Sequence, residues 1–147
     1  MDDRIKKINT PEKCEAFIKN CVTHEREDLA IQARQRAIQL RAESHGVKSE
    51  AEKDSLEAVY AYQDVLTLKN GKKTLAQRTW QMIERRGIIG ALEHAVNRKE
   101  ETLGYSILLK MGLEKFAFEA VVVRHPDVFS AEAVQISQAR INQWRNA

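Results

Sequence analysis

Proline and glycine are scarce in this 147-residue sequence. Pro11 and Pro126 are the only prolines, and glycine occurs six times. Such a chain has little material for flexible linkers or for the tight turns that repeated β-hairpins require. β-Branched residues are scattered apart from the run Val121-Val122-Val123. With them goes most of the case for a sheet, because what remains is good helix-forming composition.

Cysteine is equally sparse. Cys14 and Cys21 lie seven positions apart on one face of a predicted helix, which sets their Cα atoms roughly 10 Å apart, too far for a disulfide. They read as reduced, buried thiols, the ordinary state of cytosolic cysteines. No stretch approaches the roughly 20 apolar residues that a membrane span needs. The opening MDDRIKKIN lacks the apolar centre of a secretory signal. The expectation is a cytoplasmic chain with no membrane partner.

Several chemistries have no trace. There is no Gly-rich phosphate loop, nucleophile elbow, HExxH or zinc-ribbon cysteine pair. His24, His45, His94 and His125 fall in different segments without a second ligand at helical spacing. No metal and no cofactor is expected, and no catalytic residue is assigned.

What is present is ordinary globular material, 43% hydrophobic and 31% charged, in a chain long enough to bury a core. One all-α domain over residues 1–147 is expected, an irregular compact bundle of about seven or eight helices. Thr10-Pro11 supplies an N-cap and a first-turn proline for a helix striped by Cys14, Phe17, Ile18 and Cys21. A helix over 26–44 carries two apolar stripes, Leu29/Ala33/Ala37/Leu40 and Ile31/Ile38/Ala42, so it should pack on two sides. Ser49-Glu50-Ala51-Glu52 is a capping box and Asn70-Gly71 a helix stop, enclosing the stripe Leu56, Val59, Tyr60, Gln63, Leu66.

A second capping box, Thr74 to Gln77, predicts a helix over 75–86 that buries Leu75, Thr79, Met82 and Ile83 and ends at Gly87. Short helices over 88–97 and 103–111 should follow, the latter closed by Gly112. Residues 113–124 are apolar nearly all round and should form the central, wrapped helix. After Pro126, Ser130 caps a last helix striped by Val134, Ser137, Ile141 and Trp144. A soft hinge is expected near 70–74.

The anomaly lies in the distribution of charge. Net charge is −1 over residues 1–70 and +4 over 71–147, and between Lys69 and Lys99 eight cations face only Glu84 and Glu93. Arg78, Gln81 and Arg85 share one helix face, Lys72 and Lys73 lead into it, Arg86 ends it, and Arg98 and Lys99 follow the next short helix. Two short helices joined at a glycine, with arginines on one side, have the geometry that neutralises phosphates. The commoner fate of such a stripe is simple solvation, and the overall pI near 8.9 falls just short of the usual threshold for a basic nucleic-acid-binding domain. The leading expectation is nonetheless a non-enzymatic module that binds DNA or RNA through Lys72, Lys73, Arg78, Gln81, Arg85, Arg86, Arg98 and Lys99.

Two other readings stand beside it. A protein-interaction or accessory subunit, self-associating or bound to another protein, would use the final helix with Trp144 and the two-striped helix over 26–44. An enzyme would rest on Glu119, set among Phe116, Phe118 and Val121, together with His125 beside Arg124. A buried Glu119 is more often half of a structural ion pair, for which Arg78, Arg124 or His125 is the expected partner. Trp80, at the border of the basic face, reads first as a core or boundary residue rather than a base-stacking one.

Overall fold

A computed structural model describes residues 1–47, 49–98 and 105–146. Among these there are eight α-helices and no strand: α1 (Asp3–Lys6), α2 (Pro11–Thr23), α3 (Glu27–Glu43), α4 (Glu50–Asn70), α5 (Gln77–Val96), α6 (Tyr105–Lys110), α7 (Phe118–Arg124) and α8 (Ala131–Arg145). A 3-10 turn, Glu114–Phe116, leads into α7. Leu103, the expected start of α6, lies outside the described residues, as do Lys99, Glu100 and Glu101.

The helix starts follow their caps. Thr10 Oγ1 accepts from the Lys13 N–H at 3.2 Å, Ser49 Oγ from Glu52 at 3.2 Å and Ser130 Oγ from Ala133 at 3.1 Å, each satisfying a first-turn donor that the helix cannot. Gly71 closes α4 in the left-handed region, φ 70. The small first helix has no stripe long enough to show in the sequence. Asp2 caps it, and Ile5, wholly buried, pins it against α3.

α3 lies between α2 and α4, so both of its stripes are covered. α4 is buried on more than the face that its large residues mark: Ala51, Ser55, Leu56, Ala58, Val59, Ala61 and Val65 are all buried. The 113–124 segment does sit in the core, but as two pieces. Ala117, in an extended conformation with ψ 144, separates the 3-10 turn from α7, while Glu114 and Lys115 turn outward. Leu113, Phe116, Ala117, Phe118, Val121 and Val122 are buried.

Three apolar clusters result. One joins Ala58 and Val59 of α4 to Leu92, Val96, Phe118, Val121, Val122, Phe129 and Ala133. A second joins Ile38, Ala61 and Val65 to Leu108, Leu113 and Phe116. The third gathers Ile5, Cys21, Leu29, Ala30 and Ala33 at the α1–α2–α3 end. Cys14 and Cys21 are free and buried, and burial pushes both thiols above their ordinary pKa. Among the described residues no helix is long and apolar enough to cross a membrane.

Candidate nucleic-acid interface

The basic segment departs from expectation at its first turn. α5 begins at Gln77 rather than 75, and no side chain of its own strand of sequence caps it. Thr74 is engaged elsewhere: its N–H donates to Thr67 Oγ1 at 3.0 Å and its hydroxyl donates to the Lys72 carbonyl at 2.9 Å. Gln63 of α4 instead holds the residue just before the helix. Its Oε1 accepts from the Ala76 N–H at 3.0 Å and from the Trp80 indole N–H at 2.6 Å. This buried amide holds the start of α5, and Leu75, expected inside, is left 53% exposed.

Trp80 is further held by stacking on His45, centroids 5.6 Å apart and planes within 8°. Tyr60 leans on both rings, and its hydroxyl lies 2.6 Å from His45 Nε2. The indole is therefore committed to the α3–α4–α5 junction.

At Gly87 the backbone leaves the helical region, φ 80 and ψ 171, conformations that glycine alone adopts without strain. The break divides α5 into arms 77–86 and 88–96. Positions 78, 81, 82 and 85 form one face of the first arm; 91, 94, 95 and 98 form one face of the second and its exit. The break brings these faces together. Arg78, Gln81, Met82 and Arg85 line one cleft with Ala91, His94, Ala95 and Arg98, a space of about 290 Å³.

Arg78, Gln81, Arg85 and Arg98 are thus gathered. Lys72, Lys73 and Arg86 are exposed but do not line the cleft; Lys72 and Lys73 stand on the loop that enters α5. Among the described residues, no carboxylate lies within ion-pair distance of any of these six cations. Glu93, the nearest expected neutraliser on α5, instead accepts from the Ser130 N–H at 2.6 Å and so caps α8.

A larger cavity of about 370 Å³ adjoins the cleft. Tyr62 and Leu66 of α4, Leu75, Tyr105, Phe118 and Trp144 form the apolar part of its wall. Arg78, Thr79, Ala95 and Arg98 line both spaces.

Glu119 is fully buried and, among the described residues, its ion-pair partner is Arg140 of α8, Oε2 to Nη1 3.2 Å, not Arg78, Arg124 or His125. The sequence signal was missed because Arg140 sits on the inward face of α8 beside Ser137 and Ile141, where its charge is hidden by the surrounding stripe. Arg140 also donates to the carbonyls of Val96 at 2.9 Å and Arg98 at 2.6 Å. It thereby fixes the C-terminal end of α5 and the backbone of Arg98. His125 and Arg124 both turn to Asp54, at 2.7 Å and 3.7 Å, and His125 does not border the cavity that Glu119 borders. Among the described residues no group of three His, Cys, Asp or Glu side chains is placed to hold a metal.

No family model matches the chain, and no curated protein or solved structure matches it either.

Proposed function

We propose that this protein is a non-enzymatic helical module that binds nucleic acid through the arginine cleft of α5. The observation that carries this reading is the convergence of Arg78, Arg85 and Arg98 on one cleft with no carboxylate partner among the described residues. Guanidinium groups are planar donors suited to bidentate contact with phosphate. Gln81 and His94 add hydrogen-bonding groups in the same space. Lys72, Lys73 and Arg86 extend the positive surface to either side, where they would contribute long-range attraction more than contact.

The test is a fluorescence-anisotropy titration with labelled DNA and RNA at several salt concentrations. Three contacted phosphates imply that affinity falls by about tenfold or more over a fourfold rise in salt. Arg78→Glu combined with Arg85→Glu should remove binding at low salt while leaving the thermal melt nearly unchanged, as expected for exposed positions. Binding that ignores both salt and the double reversal would overturn the reading.

A protein-interaction role draws its support from Leu68 and Leu75, 60% and 53% exposed, which leave apolar surface beside the 71–76 loop. The two stripes of α3 do not contribute to it, since α2 and α4 already cover them. A mass measurement by light scattering that gives an oligomer, lost in Leu68→Ser with Leu75→Ser, would favour this second role.

A further inference from the structure

We propose that the aromatic-lined cavity beside the arginine cleft receives an unpaired base of a single-stranded nucleic acid, whose phosphates lie along Arg78, Arg85 and Arg98. The proposal rests on the reading of that cleft as a nucleic-acid interface and names the form of nucleic acid that fits it.

Three observations carry it. The cavity, at about 370 Å³, lies within the range of roughly 300–1,000 Å³ typical of small-molecule pockets. Part of its wall is aromatic: Tyr105 and Trp144 stack with centroids 4.2 Å apart and planes within 14°, and Tyr62 packs against Phe118 at 5.6 Å. Flat aromatic walls of this kind hold bases by stacking, largely without regard to sequence.

The third observation is continuity. Arg78 and Arg98 belong to the lining of both spaces. A base and its phosphate are joined through one sugar, so a cavity for the first must open next to a site for the second, and here the two share a wall. Thr79 on that wall and Gln77 at its edge offer polar groups to the base edge. Glu119 also borders the cavity, but it is buried and its carboxylate is paired with Arg140, and the exposed charged residues of the lining are Arg78 and Arg98. A base stacked and paired within a duplex cannot reach such a pocket; an unpaired one can.

The experiment compares three fluorescein-labelled probes of about ten nucleotides: an oligothymidylate, an abasic strand of the same length, and the oligothymidylate paired with its complement. The single strand with bases should bind at least about fivefold more tightly than either of the others. An unlabelled oligothymidylate should quench tryptophan emission, and that quenching should disappear in Trp144→Phe. Tyr105→Ala, if its circular-dichroism melt remains cooperative, should shrink the preference over the abasic strand. The quenching and the abasic comparison use the unaltered protein and so do not depend on how that variant folds.

Equal affinity for the abasic and base-bearing strands, tighter binding of the duplex, or tryptophan emission unchanged at saturation would each overturn the cavity's role. Those results would leave the cleft intact so long as the abasic strand still binds and loses binding on Arg78→Glu with Arg85→Glu. If none of the three probes binds at low salt, both proposals fall together.

Discussion

Gly112 shows how a single residue can be constrained twice. Its φ is 71, a conformation costly to any residue with a Cβ, and a Cβ there would meet Ile31 Cγ2 at 2.5 Å. Ile31 is β-branched and belongs to α3, so it cannot swing aside cheaply. Gly112→Ala should therefore cost about 2–3 kcal/mol, positive φ and overpacking together, read as a lowered midpoint in urea. Gln35 Nε2, which donates to the Gly112 carbonyl at 3.0 Å, would be displaced with it. Gly112 was legible in the sequence as a helix stop, but its contact with a helix some eighty positions earlier was not.

Glu57 makes the pH-dependent case. It is 7% exposed, and burial, with Asp54 adding to it, raises its pKa above the ordinary carboxylate range; Lys53, Lys115 and Arg124 pull the other way. A carboxyl that holds its proton more tightly when folded than when unfolded destabilises the fold once pH exceeds both values. As pH falls through the raised folded value toward the ordinary one, that cost disappears. Glu57→Gln should accordingly raise the melting temperature at neutral pH, and the gain should shrink to nothing on acidification below the ordinary glutamate range. A gain independent of pH would mean that the charge is not what costs stability there.

At the scale of elements, α5 holds most of the functional argument and also the clearest misreading. Thr74-Leu75-Ala76-Gln77 has the residues of a capping box, yet α5 has no side-chain cap and Gln63 instead accepts from the Ala76 N–H. A local motif competes with other partners for the same groups, and here the Thr74 N–H donates to Thr67 Oγ1 and its hydroxyl to the Lys72 carbonyl, while the Gln63 oxygen takes the Ala76 and Trp80 N–H groups. The break at Gly87 was legible, as was the shared face of Arg78, Gln81 and Arg85, since both follow from helical spacing. The meeting of Arg98 with that face was not, because it depends on the angle that φ 80 and ψ 171 impose. Gly87→Ala tests this directly. It removes no charge and its Cβ would touch nothing, but the backbone conformation should cost about 1–3 kcal/mol. Relief of that strain by straightening would separate the arms, so nucleic-acid affinity should fall although all the arginines remain. Unchanged affinity in a folded Gly87→Ala protein would show that the cleft needs only its charges and not their convergence.

For the molecule as a whole, the charge segregation visible in the sequence becomes a spatial arrangement through the Glu119–Arg140 pair. The pair is buried under α7 and α8, and Arg140 reaches from it to the Val96 and Arg98 carbonyls, tying the end of α5 to the core that α4, α7 and α8 form with it. That core takes residues from both sides of the 70–74 turn, so loosening it should be felt everywhere at once. Removing one member of a buried pair leaves its partner's charge in an apolar setting, at a cost of about 3–5 kcal/mol. Arg140→Ala and Glu119→Ala should each lower stability by that order. In urea, far-UV circular dichroism and tryptophan emission, which report helix content and the Trp80 and Trp144 environments, should still shift together in one transition. Two separated transitions in either variant would mean that the 70–74 turn divides the chain into units that fold independently, and that Arg98 is placed by α5 alone rather than by the core behind it.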